Sequence, residues 1–181
     1  MSDAETMQEL RRLALSDKNA IGVPDWGLNR NRPANPMLEI VCPLALDGVV
    51  EKGLALRIYG PQTVLQDRPF YGLCAHLVSE YDRRRWHLGR IEFDPENRLK
   101  PHRNPDNRKD LPPQVSGRQQ HLFSDNECGG PHAFTPTGNL PVATSLVENP
   151  TNFNDILTII GERFVIPSLW LEEPPWLQSL L

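Results

Sequence analysis

Between residues 83 and 132 this chain carries four histidines, one cysteine and several arginines, the side chains best suited to chemistry here. His102 and His121 flank a proline-rich connection, and histidine titrates near neutral pH. With Arg103 they form a set able to serve as base, acid and charge stabiliser around a phosphodiester. Arg90, Glu92 and Asn104 stand near them in sequence and are the candidate binding residues. Cys128 and His132 are separated only by Gly129, Gly130 and Pro131, close enough for both to reach one zinc ion. Sequence motifs that identify zinc sites pair two such close spacings, and here there is one. The expectation is therefore no cofactor, with zinc at Cys128 and His132 as the variant. The plainer reading of the same residues is a small thiol in a glycine turn and loop histidines bonded to carbonyls.

Cys74 and His76 lie two apart on an expected strand and so share a face, as a thiol and its base would. A buried pair explains that spacing more simply. Arg83, Arg84 and Arg85 precede Trp86, a basic and aromatic combination that grips nucleic acid, or that solubilises a hairpin turn. No Gly-rich phosphate loop, nucleophile elbow or paired-carboxylate signature is found.

The elements that must position these residues follow from proline and periodicity. Eighteen prolines break helices and central strands, so regular structure is expected in the proline-free windows. Ser2 and Glu5 have the spacing of a capping box, followed by Met7, Leu10, Leu13 and Ala14 on one face, which predicts a helix over 2–18. Leu38, Ile40, Cys42 and Leu44 alternate, Asp47-Gly48 turns the chain, and Leu54, Leu56 and Ile58 resume the pattern. Residues 70–79 and 86–93 give two more strands around a turn at Glu80 to Arg85, and Gln119 to Ser124 a short fifth. Residues 94–116, with five prolines, read as a long connection. Phe153, Ile156, Leu157, Ile160 and Phe164 predict a helix over 152–165, stopped at Pro167. Trp26 should pin its loop to the core. The tail 168–181, with Trp170 and Trp176, is apolar enough to pack on the domain or a partner. The fold expected is α+β: one domain over 1–181, an antiparallel meander of about five strands within 37–135, and a helix at each end.

A chain of 181 residues can bury a core without disulfides. Three widely spaced cysteines suit a reducing compartment, and the absence of a long apolar run or basic leader predicts a cytoplasmic protein that does not enter membranes. Residues 83–110 hold nine Lys or Arg against five Asp or Glu, within a net charge of -4, so the positive charge is local. Such a stretch attracts phosphate or is a solvated loop.

The order Arg90-Ile91-Glu92, His102-x-Asn104-Pro105, Gly117 to Phe123 with His121 inside, and a closing helix from Asn152 to Ile166 resembles small bacterial proteins of the TumE toxin type, over roughly residues 70 to 167. Those proteins carry a His-x-His or Pro-His-x-His element where this chain has Gln120-His121-Leu122-Phe123. The resemblance implies a toxin-like or defence-associated protein of a toxin-antitoxin or antiviral defence locus, acting on nucleic acid through His102, His121 and neighbouring arginines. In a second resemblance, Cys74, Glu92, His102 and His121 follow the order of Cys-Glu-His-His proteins of bacterial ubiquitin-like conjugation operons. The rival reading is a non-enzymatic binding or accessory module of a multi-protein system, such as ubiquitin-like conjugation, in which the same loop and the apolar tail make an interface with a protein partner from the same locus.

Overall fold

A computed structural model describes residues 2–29, 37–65, 67–95 and 101–178. Ser2 caps α1 (Asp3–Leu15): its hydroxyl accepts from the Glu5 N–H while the Glu5 carboxylate accepts from the Ser2 N–H, the reciprocal box that the spacing predicts. Leu10, Leu13 and Ala14 are its buried face. The helix ends at Leu15 and not at residue 18, because Lys18 is drawn into a strand, β1 (Lys18–Ala20), paired with residues 44–46.

Seven further strands complete the sheet or lie beside it up to the second hairpin and beyond: β2 (Gly27–Asn29), β3 (Met37–Leu46), β4 (Val49–Pro61), the short β5 (Thr63–Val64), β6 (Cys74–Tyr81), β7 (Arg84–Glu92) and the ribbon strand β8 (His102–Arg103). They are followed by β9 (Gln114–Val115), β10 (Gln119–His121), α2 (Phe123–Asn126), β11 (Thr144–Ser145), α3 (Phe153–Phe164) and β12 (Leu177–Gln178). The main sheet is antiparallel and runs β1-β3-β4-β6-β7-β10-β11, with β2 also on β3.

The meander β3-β4-β6-β7 is the one expected, but the sheet has eight strands where about five were expected, and it reaches outside 37–135. The additions are strands of two or three residues, too short to show alternation. The segment expected as a strand to Ser124 leaves the sheet at His121 and turns into α2 at Phe123. Within the long connection 94–116, β8 and β9 pair as a two-stranded ribbon; residues 96–100 lie outside the described residues. Among the described residues no helix is long and apolar enough to cross a membrane.

Both tight hairpins place two consecutive residues at positive φ, Asp47 and Gly48 at 50° and 76°, Asp82 and Arg83 at 50° and 60°. That backbone twist matches the right-handed twist of the strands it joins. Alternation then divides the meander into two faces. Leu38, Ile40, Leu56, Ile58, Ala75, Leu77 and Ile91 form the apolar face. The opposite face carries Glu39, Arg57, Tyr59, Cys74, His76, Arg90 and Glu92.

One irregularity decides what this polar face contains. His76 pairs with Arg90 and Val78 with His87, so β7 holds one more residue than β6 between these pairs. His87 and Arg90 are three apart and would face opposite sides of a regular strand. The β-bulge around Leu88 turns both to the polar side.

The closing helix forms where expected. Asn152 caps it in a second reciprocal box with Asp155, and Ile156, Ile160 and Phe164 are buried. It approaches the apolar face so closely that a Cβ on Gly89 would lie 2.6 Å from the Phe164 ring. Glycine there is a packing requirement. Trp26 packs on Phe153 and donates to the Glu172 carbonyl at 2.8 Å. In the tail Leu171 is buried and the Trp176 ring meets Phe70 and Phe153, whereas Trp170 is exposed.

Lys18 joins the two long helices. Fully buried, its ammonium donates to the Ala14 and Ser16 carbonyls at the end of α1 and to the Phe164 carbonyl at the end of α3, at 2.7, 2.8 and 2.9 Å. Helix C-termini concentrate unpaired carbonyls and negative dipole ends, so a cation is the group that satisfies both. Burial pushes its pKa down to about 8, which still leaves the ammonium as the majority form at neutral pH. Lys18→Met keeps the apolar stem and strands three carbonyls; chemical denaturation should show a loss of about 2–4 kcal/mol.

Candidate functional site on the polar face of the sheet

Arg90 organises this face. Its side chain is 12% exposed and its Nε lies 3.1 Å from the Glu92 carboxylate. Nη1 donates to Asn139 Oδ1 at 3.1 Å and Nη2 to His121 Nε2 at 2.8 Å. Because a guanidinium only donates, His121 Nε2 must accept. The imidazole is therefore neutral with its proton on Nδ1, which donates to the Leu140 carbonyl at 2.9 Å. Burial first, then Arg90 and His102, push the His121 pKa down to about 3.

His102 meets His121 edge to face, ring centres 4.7 Å apart, and its Nε2 donates to the Pro141 carbonyl at 2.8 Å. The two histidines singled out in the sequence thus converge across the long connection. Both His121 nitrogens are engaged, and the residue is fully buried, so the geometry gives it a holding role in the present arrangement. Arg103, next to His102, is exposed.

The segment that carries these carbonyls is fastened just beyond them by two asparagines. Asn104 Nδ2 donates to the Pro112 and Ala143 carbonyls, and its Oδ1 accepts from the Ala143 N–H at 2.8 Å. Asn126 does the same at Val142, giving 3.0 Å and receiving 2.8 Å. Asn104 therefore acts as a clamp on the strap 139–143 and not as a group presented to a ligand.

A second group adjoins the first through Asn139, whose Oδ1 also accepts from His87 Nδ1 at 3.2 Å. His87 stacks obliquely on His76, centres 5.9 Å apart, and His76 Nε2 lies 3.1 Å from the Tyr59 hydroxyl. Burial, followed by Arg90, holds His76 well below the usual histidine range, and burial lowers His87. Burial likewise raises Tyr59 and pushes the Cys74 thiol up to about 12. Burial thus keeps the thiol protonated at neutral pH, so the Cys74/His76 pair is not an activated nucleophile.

Cys128 and His132 are elsewhere, both exposed, on the turn leading into the strap. The Cys128 sulfur lies 3.7 Å from Arg108. Among the described residues no three His, Cys, Asp or Glu side chains are arranged to hold a metal ion. On the polar face, Arg90 stands between the Cys74–Glu92 pair and the His102–His121 pair, a cation where a metal would need donors to meet.

Sequence reasoning named Arg90, Glu92, His102 and His121 but missed Tyr59, His87 and Asn139. Tyr59 and His87 are visible only once the register and the bulge are known. Asn139 has positive φ and sits in a turn that demands glycine at 138, where a Cβ would be 2.0 Å from the His132 carbonyl oxygen. The Thr135-x-x-Gly138-Asn139 run is the signal that could have marked it.

No family model, curated protein or solved structure matches this chain.

The neutral histidines make stability fall with acid. An unfolded His121 binds its proton near 6.5, the native one only near 3, so between these values the unfolded state holds more protons. Stability should drop by about 1.4 kcal/mol per pH unit for this residue below 6.5, with His76 adding to it. Urea titrations at pH 7, 6, 5 and 4 should show the slope, and His121→Gln should flatten it by one proton.

Proposed function

We propose that the chain is a non-enzymatic binding or accessory module of a bacterial multi-protein system, of the Cys-Glu-His-His type associated with ubiquitin-like conjugation. The observation that carries this is the gathering of Cys74, Glu92 and His121 on one sheet face, with His102 brought against His121 from the β8–β9 ribbon. Cys74 and Glu92 are directly paired across β6 and β7, Glu92 pairs with Arg90, Arg90 binds His121, and His121 meets His102. Four residues spread over 48 positions of sequence form one connected series. Its chemistry favours holding over turnover, since the thiol stays protonated and the central imidazole has both nitrogens bonded. Networks of this kind rigidify the surface that covers them. Here the segment over them is the strap 139–143, in which Leu140, Val142 and Ala143 are buried and Asn139 is exposed over the centre.

The test is co-expression of the tagged full-length chain with the products of the genes flanking its own, followed by size-exclusion chromatography. A stable one-to-one complex with a neighbour is expected, weakened at least tenfold by Asn139→Ala. Failure to bind any neighbour would overturn the reading. Metal analysis guards the same centre: one equivalent of zinc, lost on Cys74→Ser, would replace the arginine-centred account with a metal centre.

A second reading, action on nucleic acid as in TumE-type toxins, is favoured by one observation. Arg83, Arg84 and Arg85 are all exposed at the β6–β7 hairpin, beside the half-buried His87. Single-stranded RNA binding that weakens steeply between 50 and 200 mM salt, and is lost on replacing the three arginines with Ser, is then expected. Salt-independent binding, or none, would exclude it.

A further inference from the structure

On the polar face a cavity of about 390 Å³ opens beside the Arg90 centre, lined among others by Arg57, Tyr59, His76, Arg85 and His87. Its size suits a small metabolite or one nucleotide. Two features of its wall fix what it can recognise.

The first is charge. Arg57 is neutralised by the Glu39 carboxylate, which it binds through Nε at 2.9 Å and through Nη2. Glu39 in turn accepts from Asn29 at 2.7 Å. Arg85 is exposed at the rim, so the cavity carries one surplus positive charge. The second is a proton acceptor, and its identity follows from Arg90. Since Arg90 only donates, the Asn139 atom it touches is the amide oxygen. His87 Nδ1, on the same oxygen, must therefore be the protonated nitrogen. In the neutral ring Nε2 is left with its lone pair, and it has no partner among the described residues.

A ligand that satisfies both must bring an anion to Arg85 and a hydroxyl hydrogen to His87 Nε2. Inorganic phosphate keeps a P–OH at neutral pH, but Arg85 and His87 lie two residues apart on β7, about 6.6 Å along the strand, so anion and hydroxyl are wanted at separate points, as a sugar phosphate carries them. We propose that this cavity binds a phosphorylated sugar, with the phosphate at Arg85 and a sugar hydroxyl donating to His87 Nε2. That chemistry is common to free sugar phosphates and to the phosphorylated end of an RNA strand. The site shares Asn139 with the partner surface proposed above, since that amide fixes the His87 tautomer, but its ligand contacts are Arg85 and His87, which the partner test leaves unchanged.

Isothermal titration of the full chain with ribose 5-phosphate, inorganic phosphate and a 5′-phosphorylated RNA pentanucleotide tests this. Ribose 5-phosphate should bind at least tenfold more tightly than inorganic phosphate. Arg85→Ala, at an exposed position, should weaken both tenfold or more. His87→Phe should bring ribose 5-phosphate to the level of inorganic phosphate and leave the latter unchanged. Should His87→Phe fail to fold, the imidazole signals of the parent give the same answer: His87 Nε2 should shift on adding ribose 5-phosphate and not on adding inorganic phosphate. Tighter binding of the pentanucleotide than of ribose 5-phosphate identifies an RNA end as the source, and equal or weaker binding a free sugar phosphate. If ribose 5-phosphate binds no better than inorganic phosphate, or if neither Arg85 nor His87 matters, the proposal is overturned. Partner capture is measured separately, so either idea can fail while the other stands.

Discussion

The ammonium of Lys18 is the tie on which the arrangement of the helices depends. A fully buried cation is costly unless its donors are met, and here all three are met by carbonyls at the ends of α1 and α3. The same residue's backbone N–H bonds the Val165 carbonyl at 2.8 Å, while its strand pairs with β3. Side chain and backbone thus hold the start of the sheet and both helix ends at one point. With α3 fixed there, Phe164 meets Gly89, and the apolar side of the meander is closed.

Closing one side leaves the other to polar chemistry, which is why the titratable groups collect there. Arginine is suited to the centre because it donates only and stays charged at any relevant pH. From that one constraint follow the tautomer of His121, the orientation of the Asn139 amide and the tautomer of His87. The order is imposed outward from Arg90. Neutral imidazoles beside a guanidinium also avoid repulsion that charged ones would suffer, consistent with the lowering of His76, His87 and His121.

Much of the fold was legible because its signals are local. The Ser2–Glu5 capping box, the Asp47-Gly48 turn, the alternation of β3 and β4 and the helical period from Phe153 to Phe164 each lie within a few residues. The short edge strands were not legible, since a strand such as Thr144–Ser145 exists only through its partner Gln119–Gln120. The site divided the same way. His102 and His121 were noticed for their residue type around a long connection, and the chain does bring them together. Asn104 was noticed beside them, but its clamp on Ala143 depends on a segment 39 residues away. Tyr59 and His87 carried no mark in one dimension, and Asn139 was hidden in a turn.

The bulge in β7 is a feature of the ladder and not of any one side chain. Straightening the strand with its extra residue near Leu88 kept would exchange the two sides of everything on one flank of it. His87 would then be turned toward the apolar layer, or Arg90 and Glu92 would be, depending on which hairpin end held its place. Which groups share the polar face is therefore set by the irregularity at Leu88 as much as by the order of residues along the strand.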